Sequence, residues 1–308
     1  MALSAPSLSA PALWLTGLER GLMLAGLAMA LGGLAGRGLS RQYKGARPGP
    51  LPTPWALRGA LLGLAGSLAL LITAVIGPRI AACLAQPPPE GLRNGGTAEI
   101  AAAEAVLFVL AAGLLRLRQA GWAVLLLSGV VLAEGIRSHP EGIIPVAGAF
   151  VTYCHLLPAA VWAGMLLYAV RAAIGWRADP VAAHGILRLY STAAAWLFSL
   201  ILITGVISAL VLVPLSSLLT TTYGLFLVAK AAVVCVVAGL AIAGRIWLRR
   251  GPAAGAGPAL ATRLEVAALV LVLAITGILT VLTPPARPSS AASSPPGQAS
   301  RLHAAQRP

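Results

Sequence analysis

His155 is the one histidine that the sequence places within a long apolar segment, at residues 146–172. An imidazole is costly in hydrocarbon, so a histidine in such a segment indicates a binding or functional site. Cys154 precedes it directly, and His139 lies in the short stretch before the segment. Imidazole nitrogen and cysteine sulfur together suit copper, and sulfur favours Cu(I). We predict His139, His155 and Cys154 as metal ligands; the alternative is a histidine bonded to a neighbouring carbonyl, beside a small core cysteine.

Two further side chains extend this candidate site along the same segment. Trp162 follows His155 by seven residues and therefore shares its helix face. Met165 offers a thioether, but ten residues from His155 correspond to about 15 Å along a helix axis. We predict that Trp162 lines a transport path and that Met165 serves a second, deeper position instead of the same ion.

Tyr223 and Lys230 form a second pair with the same seven-residue spacing, in a later apolar segment. Lys230 lies about 12 Å below the start of that segment, too deep for its ammonium to reach water easily. A buried ammonium needs a carboxylate, and Glu104 or Glu19 could lie at a similar depth. We predict a positioning or gating role for Tyr223 and Lys230, and a structural ion pair between two helices remains the alternative.

Acidic residues within the apolar segments also need partners. Glu19 and Glu104 both lie inside segments, and Arg20 is a candidate partner for either. Glu265 opens the last apolar segment, where it could cap a helix N-terminus or act at an inner exit. We include Glu104 and Glu265 among the residues of the path or its gates.

Apolar helices must position these residues. Of the 308 residues, 58% are hydrophobic and 10% are charged, whereas a soluble domain has about a quarter charged residues. Segments near 20 residues match the thickness of a bilayer, and backbone inside lipid must satisfy its hydrogen bonds within helices. The sequence predicts an all-α, polytopic membrane bundle of about eight helices. The predicted spans are 13–35, 55–77, 98–116, 119–136, 146–172, 190–213, 222–247 and 263–283.

Arginine and lysine gather in alternate loops. The loops after the first, third, fifth and seventh spans are the basic ones, which places them in the cytoplasm and both termini outside it. His184 falls in the third of these inner loops, and we assign it no function. Because topology explains the net charge of +14, nucleic acid is not a predicted partner.

Motifs of soluble enzymes are absent from the sequence, including a phosphate-binding glycine loop, a zinc HExxH and a serine elbow. We therefore predict a protein that is not an enzyme. A membrane haem or redox protein is the first alternative, although bis-histidine haem needs two histidines at matched depth. A component that delivers copper for the assembly of a respiratory oxidase is the second.

From residue 128 to residue 284, the order and spacing of several motifs resemble the copper resistance protein D (CopD/PcoD) family. These motifs are Ser138-His139, His155 with Trp162-Ala163-Gly164, Arg188-Leu189-Tyr190-Ser191 leading to Thr204-Gly205, Thr222-Tyr223-Gly224 with Lys230, and Glu265 ahead of Pro284-Pro285. The resemblance implies a protein of the cytoplasmic membrane that moves copper from the outer side inward.

The family resemblance also implies a partner. Such proteins often work beside a small extracytoplasmic copper-binding protein of the CopC type, and the resemblance implies either a separate partner of that kind or none. We divide the chain into N-terminal transmembrane helices at 1–127, the CopD-like region at 128–284, and a tail at 285–308. The tail is rich in proline and serine and is predicted to be disordered.

Overall fold

The structure is a computed structural model that describes residues 10–43, 49–83, 96–137, 145–213, 216 and 218–249. Seven α-helices form within these residues. Within these residues there is no β-strand. The helices are α1 (Ala10–Arg41), α2 (Ala56–Cys83), α3 (Gly96–Arg116), α4 (Ala120–Ile136), α5 (Pro145–Gly175), α6 (Pro180–Leu212) and α7 (Thr222–Arg249).

Six of these helices are long and apolar enough to cross a membrane, and α4 is a shorter apolar helix of 17 residues. Each of the first seven predicted spans corresponds to one helix, which confirms the prediction of an all-α, polytopic membrane protein. The eighth predicted span at 263–283, with Glu265, lies outside the described residues. So do His139 and the predicted disordered tail.

The start of α6 differs from the prediction. We expected the sixth span to begin at 190, but α6 begins at Pro180. The Asp179 carboxylate accepts a hydrogen bond from the Ala182 backbone N–H at 3.0 Å, and Pro180 occupies the first helical position. A capping aspartate followed by proline is a strong signal for a helix start. His184 therefore lies in the first turns of α6, and its placement in a loop was wrong.

Small residues allow α1 to pack closely against its neighbours. α1 makes its most extensive contacts with α2 and α5. A Cβ added at Gly164 on α5 would overlap the Ala28 carbonyl of α1, and one added at Gly26 would overlap the backbone of Gly63 on α2. Such close approach through glycines is a common way for membrane helices to associate. It places α1 in the middle of the bundle, beside the helix that carries His155.

Consecutive helices run antiparallel, so the bundle has two distinct ends. At one end, side chains early in one helix contact side chains late in the next. These pairs are Glu19 with Thr73, Glu104 with Arg137, and His155 with Thr204. We call this the histidine end. At the other, which we call the arginine end, Arg171 bonds the Thr53 carbonyl, and His184 bonds the Leu248 carbonyl.

Candidate functional site

His155 on α5 is held by two oxygen atoms of α6. Its Nδ1 lies 3.0 Å from the Ile201 carbonyl oxygen and 3.1 Å from Thr204 Oγ1. A carbonyl can only accept a hydrogen bond, so this contact assigns the imidazole proton to Nδ1. The lone pair of the ring then lies on Nε2. Histidines that bind metal commonly donate their other ring N–H to a carbonyl in this way.

The same contact fits the alternative that the sequence left open, a histidine that stabilises the packing of two helices. Thr204 Oγ1 also lies 2.7 Å from the Leu200 carbonyl, to which it donates, and the residue is buried. A Cβ at Gly205 would lie 3.1 Å from His155 Cε1, so the glycine leaves room for the ring. Thr204 and Gly205 thus fix where the imidazole lies, whichever role it serves.

The other predicted residues of α5 lie at different depths and burials. Cys154 is half-buried and its thiol is free of disulfide bonding. Trp162 and Met165 are buried in the main core, and the Trp162 ring contacts Phe198 with a centroid distance of 6.0 Å. No group of three or more histidine, cysteine, aspartate or glutamate side chains comes together within the described residues. Since His139 lies outside them, the predicted ligand set stays a prediction.

Lys230 approaches the site from α7, whereas Tyr223 on the same helix packs elsewhere. Lys230 is near enough to His155 for the two side chains to interact electrostatically. Tyr223 is buried and packs in a small cluster with Val213. A cationic lysine beside the imidazole would oppose a bound cation, so its position is relevant to how an ion would leave the site.

The expected carboxylate partners of Lys230 bond elsewhere. Glu104 on α3 is fully buried, and both of its oxygens accept hydrogen bonds from Arg137 Nη2, at 3.0 and 3.2 Å. Glu19 accepts a hydrogen bond from the Thr73 hydroxyl of α2 at 2.7 Å. The acids of α1 and α3 therefore bond to side chains of α2 and of the end of α4, and not to Lys230 on α7.

A buried charged cluster forms around Arg137 as a result. Glu134 lies one turn before Arg137 on α4 and pairs with the same guanidinium. Arg20 on α1 interacts electrostatically with Glu104, as its predicted role as a partner requires, and also with Arg137. Glu104, Glu134, Arg20 and Arg137 are nearly inaccessible, with the larger exposures at 7–8%. Two carboxylates and two guanidiniums balance within this cluster.

Sequence reasoning missed the roles of Glu134 and Arg137. Both lie near the end of an apolar span, where exposed charged residues are common, so the sequence did not single them out. The available signal was their spacing of three residues at the end of an apolar span, which puts both side chains on one face. That spacing points to an ion pair but does not reveal that α3 supplies a third member.

Comparison with known proteins supports the resemblance found in the sequence. The family model for copper resistance protein D matches residues 184–282, about a third of the chain. No curated protein and no solved structure matches the chain. The matched region begins in α6 and includes the Ile201 and Thr204 groups that hold His155. The chain is therefore a multi-pass membrane protein related to copper resistance, and residues 184–282 are the part that matches the family model.

Proposed function

We propose that the protein imports copper ions across the cytoplasmic membrane and thereby contributes to copper homeostasis or resistance. The observation that carries the proposal is His155, an intramembrane imidazole whose Nδ1 is bonded to the family-matched helix α6 and whose Nε2 is left as a ligand atom. The helical architecture supplies the membrane spans that a transporter requires.

The route begins at the histidine end, which the distribution of arginine and lysine places outside the cytoplasm. His155, His139 and Cys154 bind the incoming ion there. Trp162 lines the next part of the route, and Met165 provides a thioether farther along α5. Glu265 acts at the inner exit.

Release is assisted by charge. Lys230 faces the site from α7 and repels a cation that rests on His155, while Tyr223 fixes α7 against the loop after α6. The buried charged cluster around Arg137 holds α3 and α4 in place beside the route. An inward-negative membrane potential drives the cation, with about 2.3 kcal/mol per charge per 100 mV. A separate CopC-like protein would deliver copper from outside.

The test is copper accumulation in cells that express wild type, His155→Ala or His184→Ala at matched membrane levels. His184→Ala is the control because that imidazole also bonds a helix carbonyl, that of Leu248, but at the arginine end. We expect wild type and the control to raise cell copper and His155→Ala to abolish the gain. Equal copper in cells with and without the protein would refute import. Loss of oxidase activity in deletion cells with normal copper would instead favour copper delivery.

A further inference from the structure

Glu19 is a buried carboxyl that the copper proposal does not use. It lies on α1 at the histidine end, four residues after Leu15, where the apolar span begins, and only 5% of it is exposed. The Thr73 hydroxyl of α2 donates to its Oε1 at 2.7 Å, whereas Oε2 is buried and has no hydrogen-bond partner within the described part of the chain. An ionised carboxylate can accept about four hydrogen bonds. Glu19 is therefore fixed in position but far from satisfied as an anion.

No positive charge faces Glu19 among the described residues. Its one interaction partner there is the Thr73 hydroxyl. Arg20 follows Glu19 in sequence, but it belongs to the buried charged cluster around Arg137, where two carboxylates and two guanidiniums already balance. If Glu19 were ionised, it would be an excess negative charge in this part of the bundle.

The described parts of the helices packed against α1 also lack a counter-charge for Glu19. These helices are chiefly α2 and α5, with smaller contacts from α4 and α6. Their charged and titratable groups at the histidine end are Arg79 and Cys83 on α2, Glu134 and Arg137 on α4, and Tyr153, Cys154 and His155 on α5. Arg79 is exposed, Glu134 bonds Arg137, and His155 bonds α6 through Nδ1. The second half of α6 has no charged residue.

The carboxyl of Glu19 is therefore held in its neutral form. An isolated carboxylate in an apolar interior is so costly that the group takes up a proton instead. Because Oε1 accepts from Thr73, the proton lies on Oε2, where no described group accepts a hydrogen bond from it. The proton is held by its covalent bond alone, and a water molecule that reaches Oε2 can exchange it. Ionisable groups of this kind inside membranes are typical of proton pathways.

Glu19 lies at the depth of His155. Consecutive helices alternate in direction, so α1 and α5 run the same way, and they meet where Gly164 lies against the Ala28 carbonyl. Glu19 precedes Ala28 by nine residues, and His155 precedes Gly164 by nine. Both are therefore about 14 Å from this contact, towards the histidine end. A cation bound at His155 Nε2 enters the layer that contains Glu19, where its charge favours the ionised carboxylate through the poorly screening interior.

We propose that Glu19 is a proton-exchange site of the copper route, which holds a proton while the His155 site is empty and releases it to the outer side when a copper ion binds. The inference rests on the proposed function. In this step the O–H bond at Oε2 breaks, its electron pair stays on the carboxylate, and the proton passes to water at the histidine end. The carboxylate offsets the charge of the bound ion. When the ion leaves inward, Glu19 takes a proton back from the same side, so the membrane potential still acts on copper alone.

The first experiment is infrared spectroscopy of the purified full chain in detergent at about pH 7, where an ordinary glutamate is ionised. We expect wild type to show a carbonyl band of a protonated carboxyl that shifts in heavy water and is lost in Glu19→Gln. Glu99→Gln is the matched control, since it removes an exposed acid at the same end of the bundle, and it should keep the band. Thr73→Val should move the band to a higher frequency by removing the hydrogen bond to Oε1, which assigns the band even if Glu19→Gln fails to fold. A wild-type spectrum without the band, or an unchanged band in Glu19→Gln, would overturn the proposal.

The second experiment adds Cu(I) to the same proteins under reducing conditions, in weak buffer with a pH-indicator dye. Copper should remove the band from wild type, and wild type should release about one proton more per bound ion than Glu19→Gln. The difference between the two proteins excludes the proton that a copper-binding thiol such as Cys154 would release in both. A band that persists when copper is bound, or equal proton release, would leave Glu19 a structural residue and refute the proposal. Absence of copper binding would instead refute the copper site of the proposed function together with this coupling, while the band alone still reports whether Glu19 holds a proton.

Discussion

Replacing Arg137 with methionine should destabilise the protein by leaving a buried carboxylate without a counter-charge. Arg137 serves both Glu104, at 3.0 and 3.2 Å, and Glu134. After the change, Arg20 remains to balance one carboxylate of α3 or α4. One carboxylate is then in excess, in a place where the Glu104 side chain is fully buried. Breaking a buried pair in this way costs about 3–5 kcal/mol.

Protonation of the excess carboxylate sets an upper limit on this cost, because the neutral acid needs no counter-charge. A glutamate in water titrates near pH 4.3, so neutralising the excess carboxylate at pH 7 requires about 3.7 kcal/mol. At pH 5 the same step requires about 1 kcal/mol. The loss of unfolding free energy in Arg137→Met should therefore be near 3–4 kcal/mol at pH 7 and much smaller at pH 5, because folding of the variant takes up a proton that the unfolded chain lacks.

A second change tests the charge argument directly. Arg137→Met combined with Glu134→Gln restores balance between Arg20 and Glu104, so the pair of changes should cost only about 1–2 kcal/mol. The assay is unfolding in mixed micelles of increasing denaturing detergent, followed by tryptophan fluorescence, at both pH values. A loss below about 1 kcal/mol in Arg137→Met at pH 7, or a double variant no more stable than the single one, would refute the reasoning.

Three further predictions concern packing, the site and orientation. Gly164→Val should lower the unfolding free energy by about 1–3 kcal/mol or more, since even a Cβ there overlaps α1, whereas Gly113→Ala meets open space and should be neutral in the same assay. Thr204→Val removes one of the two oxygens beside the site imidazole and should lower copper uptake by about tenfold at unchanged expression; unchanged uptake would contradict its role. Orientation is tested with two variants that each have a single cysteine. A membrane-impermeant thiol reagent should label Cys83 on intact cells when Cys83 is the one cysteine kept, whereas Arg118→Cys in an otherwise cysteine-free chain should react only after lysis. The reverse pattern would overturn the predicted topology.

Apolar patterning was sufficient to predict the helices because each span is long and nearly uncharged. The predicted helix ends were less accurate where a helix extends into polar sequence. α6 begins ten residues before the predicted span, since Asp179 and Pro180 start a helix in polar sequence that a hydrophobicity criterion does not detect. The capping signal was present in the sequence, and reading it would have placed His184 in α6.

The sequence also indicated that buried charges need partners, but it could not assign them. Glu104 was expected to meet Arg20 or Lys230, and it bonds Arg137 as well as interacting with Arg20. Pairing between helices depends on which helices are neighbours and how each is rotated about its axis. A continuously apolar span contains little information about rotation, because most of its faces are compatible with lipid.

The position of His155 depends on the helices before the family-matched region as well as on that region itself. The residues that hold its ring, Ile201 and Thr204, lie within the family-matched region, whereas His155 itself lies before it on α5. α5 is in turn fixed by α1, through the contact of Gly164 with Ala28, and by α4, where a Cβ on Gly135 would come within 2.9 Å of a carbonyl of α5. A fragment limited to residues 184–282 would retain the oxygens but lose the nitrogen that they orient.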